Sequence, residues 1–231
     1  MLNIVATPIG NLDDLSLRQV RTLLSSDIIL AEDTRSAKIL LDAIKDRFPQ
    51  LTVNYQSKSA EIISYYKEKE FEKLPVIIDR LTKDKNVSLI SESGMPLVCD
   101  PGYLLVKACI KKGIPYTVIP GPSAVTNAIV MSGFDPSQFS FLGFIPKKAS
   151  DKIKLFKKIL SIKDVLPKMS FIFYDSPKRI NDTILCLKTL NWNADVVICR
   201  EISKKFEEVI RGKPSELIKR QYKGEITFVV G

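Results

Sequence analysis

The chain has 231 residues, 45% hydrophobic and 26% charged, with 35 Lys+Arg against 26 Asp+Glu and no histidine. That composition suits a globular protein of two domains of ~110 residues each. It excludes every catalytic or metal-binding arrangement built on imidazole, so a general base must be Asp, Glu, Lys, Tyr or Cys. No segment nears the ~20 consecutive apolar residues of a membrane-spanning helix. The opening MLNIVATPIGNLDD lacks the basic flank of a secretion signal. Cys99, Cys109, Cys186 and Cys199 sit singly in apolar surroundings. Buried free thiols in a reducing compartment fit them best, and the expected location is cytoplasmic.

Residues 3–7 read as a strand and 15–24 as a helix with Leu17, Val20, Leu23 and Leu24 on one face. A strand at 28–31 and a helix at 34–45 follow, then a short strand at 52–55. The polar stretch 60–83 reads as helical, split in two by Pro75. Strand 87–90 leads into SESGMPLVCDPG, residues 91–102. Asp100 as N-cap and Pro101 at the first helical position predict a helix that stops at Lys111-Lys112-Gly113. After strand 116–119, Pro120-Gly121-Pro122 reads as a hinge.

The second half repeats the alternation. Helix 123–131, strand 139–143, basic helix 150–162 and strand 171–174 precede a helix over 178–190, with Ser176 as its cap and Pro177 opening it. Strand 195–199, the segment 207–211, a helix near 214–221 and strand 226–230 close the chain. This order predicts an α/β fold of two domains, 1–119 and 120–231. The sheets should be mostly parallel, with antiparallel pairing near the end of the second.

Charge divides unevenly. Residues 1–120 hold 16 basic and 15 acidic groups, whereas 121–231 hold 19 and 11, and 147–168 alone has eight lysines. A basic half suits a polyanionic partner, nucleic acid first. A wet helix face over Ile153, Phe156, Ile159 and Leu160 explains the lysines equally well.

Ligands of open α/β sheets bind beyond the carboxyl ends of the strands, so the loops there carry the chemistry. Thr7-Pro8-Ile9-Gly10-Asn11-Leu12 has one glycine where a dinucleotide fingerprint needs three, and no P-loop lysine follows. Glu32 and Asp33 end the second strand as candidate base, metal ligand or hydrogen-bond acceptor. Capping explains Asp33 or Thr34 but not Arg35, whose charge opposes the helix dipole. The loop 91–102 is acidic and without a cation, a poor phosphate site. It suits an uncharged or cationic ligand, such as the ammonium and sulfonium of S-adenosylmethionine. Asp100 is largely explained as a cap and Glu92 is not. Magnesium is disfavoured because no cluster of oxygen ligands stands out. Gly121-Pro122-Ser123-Ala124 opens a helix whose amides suit a carboxylate or ribose. Asp175, Lys178 and Arg179, then Arg200 and Glu201, are strand-end charges that exposed salt bridges explain as readily.

In order and spacing, VATPIGNLDDLSLRQ, IILAEDTR, SESGMPLVCDPGY, VIPGPSAV, FLGFIPKK, FIFYDSPKR, REISKKFEEVIRG and GEITFVVG resemble the tetrapyrrole-methylase class of S-adenosylmethionine-dependent methyltransferases. Within it they most resemble the bacterial enzymes that 2′-O-methylate a cytidine ribose of 16S ribosomal RNA. The resemblance implies two α/β domains with the cofactor in the cleft between them, usually a homodimer, and no metal. It places cofactor contacts at Pro8, Ile9, Ser93, Gly94, Met95, Val98, Ser123 and Ala124, and near the adenine at Leu142, Gly143, Tyr174 and Asp175. Glu32, Asp33 and Glu201 are the candidate bases, and Arg35, Lys178 or Arg179 would hold a phosphate. Lys147, Lys148, Lys178 and Arg179 are the candidate RNA contacts. The alternative is a methylase of the same fold acting on a small or tetrapyrrole-like molecule, or an RNA binder with a vestigial pocket.

The chain departs from the family pattern at three places. Glu92, Ser93 and Met95 replace an Asp, an Ala and a Thr of the usual loop. Gln56-Ser57-Lys58-Ser59 stands near the place of a His-Asn pair. The sequence ends at Gly231 without the additional C-terminal module of many relatives.

Overall fold

Five short strands form the first sheet: β1 (Leu2–Val5), β2 (Ile28–Ala31), β3 (Glu61–Ser64), β4 (Val87–Ile90) and β5 (Tyr116–Ile119), in the order β3-β2-β4-β1-β5. All neighbours are parallel. This is a computed structural model, described for residues 1–55 and 59–231. The chain divides into two units, Met1–Pro122 and Ser123–Gly231.

In the first unit β1, β2 and β4 are buried along their whole length, as expected of parallel strands covered on both faces. Alternate residues serve opposite faces. Ile28, Leu30, Val87 and Leu89 pack under α4 (Glu70–Thr82) and α5 (Tyr103–Lys112). Ile29, Ala31 and Ile90 pack under α1 (Leu17–Ser25) and α2 (Thr34–Arg47). The connections β1→β2→β3 run one way along the sheet and β3→β4→β5 the other. Right-handed crossovers then put the two helix pairs on opposite faces.

The second unit opens with α6 (Ala124–Ser132) and adds β6 (Phe139–Phe144), α7 (Ala149–Val165), β7 (Ser170–Asp175), α8 (Ile180–Thr189), β8 (Val196–Arg200), β9 (Glu208–Gly212) and β10 (Ile226–Val230). Its sheet is mixed, ordered β6-β7-β10-β8-β9, with β6–β7 parallel and the other pairs antiparallel. Phe156, Phe171, Phe173, Ile198 and Phe228 fill one face. On the opposite pleat Cys199 lies against the Ala128 carbonyl of α6 at 4.0 Å.

Several local expectations need correction. Residues 52–55 are not a strand: a helical turn, α3 (Pro49–Thr52), runs into a 3-10 turn at Val53–Tyr55. The strand comes later, at Glu61–Ser64, inside the stretch read as helix. Pro75 does not split a helix but lies within α4. It is exposed, so the ring faces water, while Ile77, Ile78 and Leu81 bury the other side and offset the lost backbone bond. Asp100 is no N-cap, because α5 begins at Tyr103 with Gly102 at the cap position, φ +125°. Ser176 is no cap either: α8 starts at Ile180, and residues 176–179 form a turn closed by the Ile180 amide on the Ser176 carbonyl. Cys99 is exposed rather than buried. Of the segment Gln56-Ser57-Lys58-Ser59, residues 56–58 lie outside the described residues.

Helix α1 is tied to the end of β1 by one side chain. Ser16 and Gln19 form a capping box, with Ser16 Oγ accepting from the Gln19 amide at 3.2 Å and Gln19 Oε1 accepting from the Ser16 amide at 2.6 Å. Gln19 Nε2, fully buried, donates to the Ala6 carbonyl at 2.8 Å. Ser16→Ala should therefore cost about 1 kcal/mol. Gln19→Ala also orphans the buried Ala6 carbonyl and should cost about 2–3 kcal/mol. Urea unfolding of both variants, monitored with wild type, checks the ranking.

Candidate active site

The loops at the carboxyl ends of β1 and β4 are stitched together. The Thr7 amide donates to the Gly94 carbonyl at 2.8 Å and the Gly94 amide returns a bond to the Thr7 carbonyl at 3.2 Å. Ser91 Oγ adds a bond to the Gly94 carbonyl at 3.0 Å, and Thr7 Oγ1 one to the Ser91 carbonyl at 3.2 Å. Gly94 has φ +84°, and a Cβ there would meet Ile9 Cγ2 at 3.3 Å. The loop after β5 joins them: a Cβ on Gly121 would collide with the Gln19 side chain and with Ala6 Cβ.

Beside this junction lies a cleft of about 300 Å³ whose polar lining includes Thr7, Glu32, Asp33, Ser91 and Glu92. Pro8, Glu32 and Asp33 of the expected residues meet in it. Ile9 is buried behind it, and Ser93 is exposed, with Met95 and Val98 half-buried, in the loop that forms one wall. Asp33 caps α2, accepting from the Arg35 amide at 2.8 Å. Arg35 folds back on it, with Nη2 to Oδ2 at 2.7 Å, and this pairing holds the Asp33 carboxyl down to about 2. A carboxylate so held is a weak proton acceptor, and the Arg35 side chain, 87% exposed, is spent on its own helix cap.

Glu32 behaves differently. Burial, then the nearby charges of Glu92 and Glu68, push its carboxyl above the ordinary range. Asp100 is shifted further, up to about 7, by burial and by the charges of Glu32 and Glu92. Sequence reasoning read Asp100 as a helix cap and so passed over its raised carboxyl. Asp-Pro-Gly is a turn signal as much as a helix start, and giving weight to the glycine would have freed the aspartate from its capping role.

In the second unit the strand-end charges are mutually satisfied. The Asp175 side chain is fully buried, accepting from Thr183 Oγ1 at 2.7 Å and from the Ser176 amide at 2.8 Å, with Arg179 Nη2 at 3.3 Å. Arg179 also donates to Ser176 Oγ and to the Ile145 carbonyl. Its guanidinium therefore braces this turn, while Lys147, Lys148 and Lys178 are exposed. Leu142 and Gly143 form a bulge in β6, with Gly143 at φ +71°. Phe141 and Phe144 pack edge-on against Tyr174, with ring centroids 4.8 and 5.4 Å away. Ser123 sits at the N-cap position of α6 without making a side-chain capping bond, and Ala124 is the first residue of that helix. Glu201 accepts from the Glu225 amide at 2.8 Å and from Lys204 at 3.3 Å, and these bonds lower its pKa. That role closes a turn and disfavours Glu201 as a base.

Two α/β sheets with a polar cleft above the carboxyl edge of a parallel one define an enzyme of the open-sheet type. Residues 1–218 match the family described as Tetrapyrrole (Corrin/Porphyrin) Methylases. Two curated relatives named "Ribosomal RNA small subunit methyltransferase I" are each 38% identical. The one from Hydrogenobaculum is matched over 99% of this chain and 94% of its own length, the one from Thermotoga maritima over 99% and 97%. A crystal structure of diphthine synthase superposes with a TM-score of 0.70 over 99% of this chain and 88% of that one, at 15% identity, a likeness of fold. The chain belongs to the tetrapyrrole methylase family, and it is an S-adenosylmethionine-dependent methyltransferase.

The acidic cluster has a consequence for stability. Asp100 titrates at about 7 in the folded chain against 3.8 ordinarily, so between those values folding takes up a proton. Stability is then lost as pH rises through that window and does not return above it. Asp100→Asn should match wild type near pH 4 and exceed it at pH 8. Urea midpoints at the two pH values check the sign.

Proposed function

We propose that the chain transfers a methyl group from S-adenosylmethionine to the 2′-hydroxyl of a cytidine in small-subunit ribosomal RNA, in the cytoplasm and as a homodimer. The observation that carries the reading is the full-length similarity to relatives named as small-subunit ribosomal RNA methyltransferases. The acidic cleft of the first unit supports the chemistry, because Glu32 and Glu92 suit a cationic ligand. A cradle of small groups at Gly94, where a Cβ would press on Ile9, leaves room for close approach.

When bound, the methyl donor supplies an electrophilic methyl group on a sulfonium. We assign its contacts to Pro8, Ile9, Ser93, Gly94, Met95 and Val98. The reaction needs an acceptor for the hydroxyl proton and exclusion of competing water. Asp100 is the favoured proton acceptor, since a group titrating at about 7 is ionised in part at neutral pH yet basic enough to take a proton during attack. Glu32 is the second choice and raises the basicity of Asp100 by its charge. Lys147, Lys148 and Lys178 supply non-specific attraction to the RNA backbone, which weakens with salt.

Incubation with labelled S-adenosylmethionine and unmodified small subunits should place label on the ribose of one cytidine. Label in a small molecule of a cell extract, with none in the RNA, would establish the alternative substrate class. In the same assay the wild-type rate should rise with pH to a plateau above about 7. Asp100→Asn should lower it by roughly 10²-fold or more. Glu32→Gln should move the midpoint acidward, because a neighbouring negative charge is gone. Full activity in Asp100→Asn would transfer the base role to Glu32.

A further inference from the structure

Helix α5 has no cap of its own. Gly102 holds the N-cap position with no side chain to offer, yet its end lies directly after the loop 91–102. The missing acceptor comes from another helix. Glu70, the first residue of α4, directs Oε1 at the Gly102 amide, 3.1 Å away, and at the Leu104 amide, 2.9 Å away. Tyr65 Oη donates to the same oxygen at 3.4 Å. Glu70 is 5% exposed and Tyr65 fully buried, and among the described residues no lysine or arginine forms an ion pair with Glu70. Its charge is instead met by the amides at the start of α5 and by that tyrosine.

The loop so anchored is a strained one. Gly94, Leu97, Cys99 and Gly102 take φ values of +84°, +71°, +75° and +125°. Left-handed conformations at a leucine and a cysteine persist only where the surroundings dictate them. Gly102 is pressed under the sheet, where a Cβ would meet Leu89 Cδ2 at 2.5 Å and Leu97 Cδ1 at 2.8 Å. At its other end the loop is held by the bonds between Thr7 and Gly94. Asp100 lies two residues before the anchored Gly102, in reach of the charges of Glu32 and Glu92 and beside Cys99.

We infer that Glu70 is a positioning residue for methyl transfer: its buried carboxylate caps α5 from a neighbouring helix and so fixes the loop that carries Asp100 and the contacts assigned to the methyl donor. The inference rests on the functional reading of that loop. Releasing the clamp frees the carboxyl-terminal end of the loop, lets Asp100 move toward water and lowers its basicity.

The test compares Glu70→Ala, Glu70→Gln and Leu81→Ala, the last a core truncation on the same helix away from the loop. Glu70→Ala should lose roughly 10- to 100-fold in kcat/KM, with kcat falling. Its pH–rate midpoint should move acidward. Glu70→Gln keeps an acceptor oxygen and should recover most of the rate with the wild-type midpoint. Leu81→Ala should lower the melting temperature while leaving kcat and the midpoint in place. Identical behaviour of Glu70→Ala and Leu81→Ala, or a wild-type midpoint in Glu70→Ala, overturns the inference. Calorimetry with S-adenosylmethionine separates the two readings. Wild-type chain that binds it without methylating RNA removes the RNA substrate alone, and the Glu70 comparison is then made on binding, weaker in Glu70→Ala and retained in Glu70→Gln. Equal affinity in all three variants would again overturn it.

Discussion

The first unit depends on a pair of backbone hydrogen bonds, Thr7 to Gly94 and Gly94 to Thr7. Up to Val5 the chain of β1 runs parallel to β4, paired with Ile90. Parallel neighbours diverge into separate crossovers at their carboxyl ends, and nothing in a parallel ladder holds the departing loops together. The antiparallel bridge at Thr7 and Gly94 does so. It requires a glycine in the left-handed region with Ile9 close by, and it fixes the wall formed by Thr7 against the wall formed by Ser91 and Glu92. Gln19 extends the same junction to the loop after β5 through Ala6 and the space over Gly121. Three strand ends thus act as one rigid rim.

That rim supports groups that would not settle there unaided. Glu32 and Asp100 are placed where burial already disfavours charge, and the charge of Glu92 nearby adds to the repulsion. Leu97 and Cys99 hold left-handed backbone. The left-handed residues each oppose folding by roughly 1–3 kcal/mol, the carboxylate repulsion adds to that, and stability is supplied elsewhere. The supply is visible in the two apolar layers that cover the sheet, where most strand residues are inaccessible to water. Like charges and strained backbone beside a cleft over a well-packed sheet are a local cost of the kind that a stability–activity trade involves.

Strands at 28–31, 87–90, 116–119 and 226–230 were legible because each is a short apolar or β-branched run bounded by turn or cap residues. The strand Glu61–Ser64 was not. Its sequence is short, begins with an exposed glutamate and lies at the edge of the sheet, so pairing with β2 decides it rather than pattern. Pro75 was misjudged because position, not presence, decides what a proline does, and here its ring faces solvent. In the site, the strand-end rule found Pro8, Glu32 and Asp33. It also found Asp175 and Arg179 but could not show that they neutralise each other. That Asp100 is no cap was hidden because the cap it was thought to provide comes from Glu70, 30 residues earlier, a contact that only the packing of α4 beside α5 creates.

The absence of histidine gives the acidic cluster its meaning. General acid–base work near neutral pH calls for a group that titrates there, and imidazole is the ordinary choice. Asp100 reaches about 7 by the opposite route, burial and crowding with like charges. The two solutions differ in their ionised form. A charged imidazole would repel a cationic methyl donor, whereas ionised carboxylates attract it. Because Glu32 and Glu92 raise the proton affinity of Asp100 by their charge, a cation placed among them lowers it again. Ligand and proton therefore compete for the same cluster. In the proposed reaction a bound cation therefore favours the ionised, proton-accepting form of the carboxyl, a coupling of the same sign as a histidine there would show, since a neighbouring positive charge lowers either pKa.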